Sequence, residues 1–311
     1  AAGVGMAFGL VQYVLGKKHL EPGIARLTVP PSFDLQKLIS GAVRYLSVPI
    51  AAVVLVSLAK VKVFDLGQVV LGAIEIVTWA TVVLVAIRQI AARFRGAVSN
   101  EDWKRITAIV VFFMAASLFW GAYEQAGTSL TLFADRYVDR HVFGFEFPAG
   151  WYISVQALFT IIVSPIFAWL WIKLGSRQPS SPGKFTLALM FAGLAFLLLV
   201  PAGGIAQGGV KIGPWWLVGC YFLEELGEVA LSPVGLSVVT KLAPTRIVGI
   251  MMGVWFLSNA AGNKVAGWMA QFISSTSLDK LFLINAAVMF GATLVMFVMI
   301  KPVRKLMGGV N

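Results

Sequence analysis

Two glutamates lie in apolar stretches of this sequence, where a charged side chain is costly. Glu124 lies in FFMAASLFWGAYEQAGTSLTLFADR and is the only charged residue between Ile106 and Ala134. Glu228 lies in YFLEELGEVALSPVGLSVV, four residues before Ser232 and therefore on the same face of a helix. A carboxylate at the centre of a bilayer costs roughly 2.5–3.5 kcal/mol, so such residues usually mark the path of a proton or a substrate.

Three roles are open to these carboxyl groups: taking up a proton, holding a cationic group, or making structural polar contacts. The structural role requires a neighbouring Ser, Thr or Asn that satisfies each carboxyl group. Pro233 follows Ser232 directly and removes a backbone hydrogen bond, which frees a carbonyl and permits a bend. Helices of this kind line the sites of membrane transporters. The pattern therefore indicates transport, with structural contacts as the alternative.

The composition defines the class of protein that positions these residues. Of the 311 residues, 59% are hydrophobic and only 13% are charged, with a mean hydropathy of +0.85. Soluble domains contain about 25% charged residues, so the sequence predicts an all-α polytopic membrane protein. Cys220 is the single cysteine, which excludes an intramolecular disulfide and thiolate metal sites. His19 and His141 lie in polar connections, so we expect no metal and no cofactor. A buried carboxyl group can take up a proton near physiological pH, which suits protons as the coupling ion.

Apolar runs of helical length predict eight membrane spans. They are Val43–Ala59, Leu66–Ile87, Ile106–Ala134, Gly150–Leu174, Phe185–Val200, Pro214–Thr240, Val248–Ile273 and Leu281–Ile300. Ala1–Leu15 is apolar but, at about 23 Å, too short to cross, and we expect it to be the tail of a helix that begins upstream. The predicted parts are this tail (1–15), a linker with a two-helix transmembrane hairpin (16–105) and a C-terminal six-helix bundle (106–311).

The distribution of basic residues orients these spans. With alternating connections, 18 of the 25 Lys and Arg residues fall on one side, six fall on the other, and Lys264 lies within a span. The side with more Lys and Arg is cytoplasmic by the positive-inside rule. The net charge of +11 is thereby explained by membrane orientation, and we expect no nucleic-acid partner.

Four stretches, in this order, carry a resemblance to a known family. They are FWGAYEQAGTSLTLFADR, FAWLWIKLGSRQPSSPGKF, ELGEVALSPVGLSVVTKLAP and GIMMGVWFLSNAAGN. They resemble the proton-dependent oligopeptide transporters of the major facilitator superfamily, and the similarity runs essentially end to end. The resemblance implies the tail of the sixth helix, the hairpin of bacterial members and the C-terminal six-helix bundle. It also implies a multi-pass protein of the bacterial inner membrane, surrounded by the lipid bilayer and completed by an N-terminal six-helix half.

The resemblance assigns roles to the two glutamates. Glu124 matches the seventh-helix glutamate of W-x-x-x-E-Q, which is implicated in proton coupling and in a gating salt bridge to the first helix. Glu228 matches the tenth-helix glutamate of E-x-x-x-S-P-x-G, which holds the peptide's N-terminal ammonium group. The residues that hold the peptide's carboxylate belong to the family's N-terminal half and would lie upstream.

Four further residues are substrate-site candidates by the same resemblance. Trp120 and Trp255 match aromatics that wall the side-chain pockets, although packing between helices is an equally good explanation of both. Gln156 replaces the family's usual eighth-helix asparagine, a partner for polar groups of the peptide. Asn259, one turn after Trp255, is a further candidate for lining the pocket.

The expected function is therefore proton-coupled symport of di- and tripeptides by alternating access. The departure at Gln156 leaves open a transporter of the same fold for nitrate or a drug-like amine. An intramembrane protease would need paired aspartates or a Ser–His pair, and the predicted spans contain neither Asp nor His, so we expect no enzyme. A scaffold subunit would not need buried carboxyl groups.

Overall fold

The computed structural model describes residues 99–142 and 144–309, without the side chain of Arg246. The predicted helix tail (1–15) lies outside these residues, as does the predicted linker (16–105) apart from its last seven residues. The described helices are α1 (Asn100–Tyr123), α2 (Ser129–Tyr137), α3 (Trp151–Leu174), α4 (Ser181–Gln207), α5 (Trp215–Leu242), α6 (Val248–Ala270) and α7 (Leu278–Leu306). A short hairpin of β1 (His141–Val142) and β2 (Phe145–Glu146) connects α2 to α3.

The first helix begins at Asn100, six residues before the predicted span, because Ser99 and Asp102 form a capping box. The Ser99 hydroxyl oxygen accepts from the Asp102 backbone N–H at 3.1 Å, and the Asp102 carboxylate accepts from the Ser99 backbone N–H at 2.8 Å. These contacts satisfy two donors that a helix start otherwise leaves unpaired. The linker–bundle boundary predicted at residue 106 therefore falls inside α1.

The other helices agree with the predicted spans, but two of them extend past a proline. α4 continues through Pro201 to Gln207, beyond the predicted end at Val200, and α7 continues through Pro302 to Leu306. A proline removes one backbone hydrogen bond, which neighbouring groups in a membrane bundle can offset. The predicted spans Phe185–Val200 and Leu281–Ile300 therefore ended too early.

Four described segments are long and apolar enough to cross a membrane by length and composition. They are Asn100–Tyr137, Trp151–Arg177, Ser181–Gln207 and Leu278–Leu306. α5 and α6, with 28 and 23 residues, have the necessary length but carry more polar residues. α5 contains three glutamates, and α6 contains Asn259, Asn263 and Lys264. The all-α polytopic membrane fold is confirmed, and three of the six candidate site residues, Glu228, Trp255 and Asn259, lie on α5 and α6.

The bundle core forms around α4 and α1. α4 packs most extensively against α7 and α5, and α1 packs along α6. Aromatic rings join the helices: the ring centroids of Phe112 on α1 and Phe185 on α4 are 4.7 Å apart, and those of Phe133 on α2 and Phe282 on α7 are 5.0 Å apart. α3 is peripheral, with an outer face of large apolar side chains such as Ile172, which is 80% exposed. Such a face is suited to contact with lipid.

Arg140 organises the connection between α2 and α3. Its guanidinium group lies 3.3 Å from a carboxylate oxygen of Asp135 and 3.0 Å from one of Glu146, and it donates to the Phe147 carbonyl at 3.0 Å. Beside this cluster, hydrogen bonds from His141 hold the pKa of the exposed Asp139 carboxyl below its usual value. The hairpin is thereby attached to the end of α2.

Candidate functional site

Glu124 lies at a break in the first predicted span. α1 ends at Tyr123, residues Glu124–Gly127 form a 3₁₀ turn, and Thr128 has φ −129° and ψ −97° before α2 begins. The prediction of one continuous helix over Ile106–Ala134 is therefore wrong at this point. Short 3₁₀ segments within a long helix often mark functional hinges. The break also explains how a carboxyl group is tolerated here, since the local backbone is already irregular and polar.

Polar side chains satisfy the backbone around this break. The Thr131 hydroxyl donates to the Ala126 carbonyl at 2.5 Å, and the Thr128 hydroxyl lies 3.5 Å from the Glu124 carbonyl. The partly exposed Glu124 carboxyl group is hydrogen-bonded to Asn263 of α6. Glu124 is thus supported by α6 and remains accessible, as a site for a proton requires.

A buried amide network fixes the break against α7. Gln125 donates to the side-chain oxygen of Asn285 at 2.8 Å and accepts from the Ser129 hydroxyl at 2.8 Å. Asn285 in turn donates to the Leu281 carbonyl at 2.9 Å. Gln125 and Asn285 are 1% and 5% exposed. This network was not predicted from the sequence, although an isolated amide side chain in each of two apolar segments, Gln125 and Asn285, indicates a polar contact between them.

The three glutamates of α5 occupy two different environments. Glu228 is partly exposed, and its carboxyl group is hydrogen-bonded to Ser232, as the i, i+4 spacing predicted. Glu224 and Glu225 are fully buried. Glu225 accepts from the Tyr123 hydroxyl and from the Thr160 hydroxyl, both at 2.6 Å. These two contacts tie α5 to α1 and α3, and the sequence analysis missed them.

Gln156 lies against α5. Its side chain is 4% exposed, and its amide donates to one carboxyl oxygen of Glu224 at 3.3 Å. Tyr152, one turn earlier on α3, packs its ring 5.9 Å from that of Tyr221 on α5. Gln156 is therefore close to the carboxyl groups of α5, in contact with a glutamate that the sequence analysis did not assign to the site.

The two tryptophans differ in their exposure. Trp120 is partly buried, with its ring 5.3 Å from that of Tyr123, while Trp255 is only 5% exposed. The Trp255 ring fills the space beside Gly235 of α5, where a Cβ would overlap the indole. Helix packing thus accounts for Trp255 in the described residues. The half-buried Asn259 accepts from the Asn263 side chain through its backbone carbonyl, at 3.2 Å.

Tyr123 connects the two parts of the site. It precedes Glu124 in the chain, its hydroxyl donates to Glu225, and all three carboxyl groups of α5 act on it electrostatically. Among the described residues, no group of three His, Cys, Asp or Glu side chains could hold a metal ion. The arrangement can bind protons and a cationic group.

Comparisons with known proteins agree with this chemistry. The family model described as "PTR2: POT family" matches residues 1–289. The chain is 36% identical over 272 residues to the uncharacterized transporter YclF of Bacillus subtilis (strain 168), covering 87% of this chain and 53% of that protein. It is 38% identical over 216 residues to the peptide transporter YePEPT of Yersinia enterocolitica subsp. palearctica serotype O:3 (strain YE-P4), covering 67% and 42%.

A solved structure extends the similarity to three dimensions. It is a POT family transporter in complex with a thioalcohol-conjugated peptide, 26% identical in sequence with a TM-score of 0.70. The similarity covers 97% of this chain and 62% of that one. The chain thus spans about half the length of the curated relatives it matches.

Proposed function

The chain belongs to the POT family, and we propose that it forms the C-terminal part of a proton-coupled symporter of di- and tripeptides. The observation that carries the proposal is the pair of partly exposed carboxyl groups, Glu124 at the helix break and Glu228 on α5, in an otherwise apolar bundle. The names of the relatives support it, since one is a peptide transporter and one structure holds a peptide derivative.

The proposed mechanism assigns a separate task to each carboxyl group. Glu228 holds the ammonium group of the peptide by a charge-assisted hydrogen bond, with Ser232 orienting the carboxylate. Glu124 exchanges a proton, and its charge biases the transporter between outward-open and inward-open states. Trp120, Trp255, Gln156 and Asn259 line or support the pocket. The N-terminal half supplies the site for the peptide's carboxylate and the other side of each gate.

The energetics allow accumulation of peptide. A proton that enters down a potential of 100 mV supplies about 2.3 kcal/mol. Because about 1.36 kcal/mol corresponds to a factor of ten, one coupled proton supports a concentration ratio of roughly fifty. This requirement places the protein in an energised membrane, and we propose the bacterial inner membrane.

The test uses the full-length protein in liposomes with an inside-negative potential and an acidic exterior. Uptake of labelled dialanine is compared between wild type, Glu228→Gln, Glu124→Gln and the control Glu101→Gln, which removes an exposed carboxyl group at the start of α1. We expect Glu228→Gln to lose binding and Glu124→Gln to retain exchange without proton-driven accumulation. A wild type that ignores dipeptides at every pH would refute the peptide assignment.

A second substrate class is favoured by one observation. Gln156, which stands where the family usually has asparagine, donates to Glu224 of the protein, so its amide is already engaged. A substrate with fewer polar groups than a peptide, such as a drug-like amine held by Glu228, would not need that amide. Competition of amines and nitrate with labelled dialanine in the same liposomes distinguishes these substrates.

A further inference from the structure

Glu224 and Glu225 form a carboxyl pair that the mechanism above does not use. They are adjacent in the chain, interact electrostatically and are both 0% exposed. In the described part of the chain, no Lys, Arg or His approaches either carboxyl group within 4 Å to form an ion pair. Two neighbouring buried carboxylates without a cation are very costly if both are ionised. Within the described residues, a proton on one of the two carboxyl groups relieves this cost.

Hydrogen bonding indicates which of the two carries that proton. Both oxygens of Glu225 accept short hydroxyl hydrogen bonds of 2.6 Å, the length expected for an ionised acceptor. Glu224 receives only one long amide contact, of 3.3 Å from Gln156, and its other oxygen is buried without a partner. An uncharged carboxyl group tolerates this setting far better than a carboxylate does.

The surroundings contain no described cation that could replace the proton. The titratable groups that interact electrostatically with the pair are Tyr123 from α1 and Cys220, Tyr221 and Glu228 on α5 itself. The charged group of α4 is Lys184, which interacts electrostatically with Lys241 near the other end of α5. From α6 the charged group is Lys264, whose side chain is exposed. The pair thus lies in an acidic and neutral environment.

We propose that Glu224 and Glu225 form a second proton-binding site, which holds one proton on Glu224 and takes another on Glu225, passed from water through the hydroxyl group of the partly exposed Tyr123. A protonated Glu225 is no longer an anionic acceptor, so its bonds to Tyr123 and Thr160 weaken and α5 separates more easily from α1 and α3. Release of that proton to water restores both bonds. Tyr123 passes the change to the adjacent break at Glu124. The coupling to transport rests on the proposed function, whereas proton binding does not.

The first test detects the protons directly. Infrared spectra of the purified full-length protein are recorded across a pH series, and the carbonyl band of protonated carboxyl groups is followed. We expect Glu224→Gln to remove a band present at neutral pH and Glu225→Gln to remove one that appears on acidification. Glu101→Gln should leave both bands. Tyr123→Phe, which keeps both carboxyl groups, should shift the pH at which the second band appears.

The second test counts protons per peptide in liposomes from the potential at which net dialanine flux is zero. A tenfold peptide gradient is balanced by about 59 mV for one proton and about 30 mV for two. Glu225→Gln should therefore need a larger potential than wild type. Unchanged infrared bands in both variants, or an unchanged zero-flux potential, would overturn the proposal. If wild type does not transport dialanine, the proposed function fails, and the infrared result alone decides the proton site.

Discussion

Replacing Gly262 by alanine should force α6 away from α1. The added Cβ would overlap the Trp120 Cβ and lie 2.7 Å from the Trp120 carbonyl carbon and 2.8 Å from the Gly121 nitrogen. Two of these atoms are backbone and the third, the Trp120 Cβ, is fixed to the backbone, so the helices themselves must separate by roughly 1.1 Å to reach ordinary contact at 3.4 Å. Overpacking of this kind costs about 1–3 kcal/mol, while alanine recovers about 0.5–1 kcal/mol over glycine in a helix. We therefore expect a net loss of stability of up to about 2.5 kcal/mol.

The assay is thermal unfolding of the full-length protein in detergent, followed by tryptophan fluorescence. Gly267→Ala is the matched control, because it lies on the same helix and a Cβ there meets nothing within 4 Å in the described residues. Gly262→Ala should lower Tm, and Gly267→Ala should leave Tm at or above the wild-type value. Equal Tm values for the two variants would refute the reasoning that backbone contact at Gly262 sets the distance between α1 and α6.

Three further predictions concern polar contacts. Gln125→Leu and Asn285→Leu, combined in a double-mutant cycle of unfolding free energies, should give a coupling of about 0.5–3 kcal/mol, and a coupling of zero would contradict the network. Ser99→Ala should cost about 0.5–2 kcal/mol through the lost cap, measured by Tm, whereas an unchanged Tm would mean that the cap contributes nothing. The pKa of the Asp139 carboxyl is lower in the folded state than in the unfolded state. The ionised carboxyl therefore stabilises the fold above its unfolded-state pKa, and this stabilisation is lost as the pH falls through its folded-state pKa. His141→Ala should weaken this acid dependence, as followed by Tm against pH.

The sequence predicted the helices well because apolar length is a strong signal in membrane proteins. The spans around α3, α5 and α6 agree with the structure to within a few residues. The sequence assigned Glu124 and Glu228 to two different spans, and in the structure they lie in the turn after α1 and in α5. Helix ends were predicted less well, since the predicted span ends at Val200 and the helix continues through Pro201 to Gln207.

Contacts between distant residues could not be predicted from periodicity. A helix pattern gives the face on which Glu225 lies but not that Tyr123 and Thr160, from two other helices, meet it. The break at Glu124 was missed for a related reason, because the turn is stabilised by the tertiary contact of Gln125 with Asn285 and not by a glycine or proline at its start. The contacts of Tyr123 with Glu225 and of Gln125 with Asn285 each join residues more than 100 positions apart in the chain.

The fit of the Trp255 ring against Gly235 has a consequence for the history of the family. Any side chain larger than glycine at position 235 would occupy the volume of the indole, so neither position can change freely on its own. Relatives that carry alanine or serine at 235 should carry a smaller residue at 255. The residues at positions 235 and 255 should therefore covary among POT sequences, because the steric contact between them couples their substitutions.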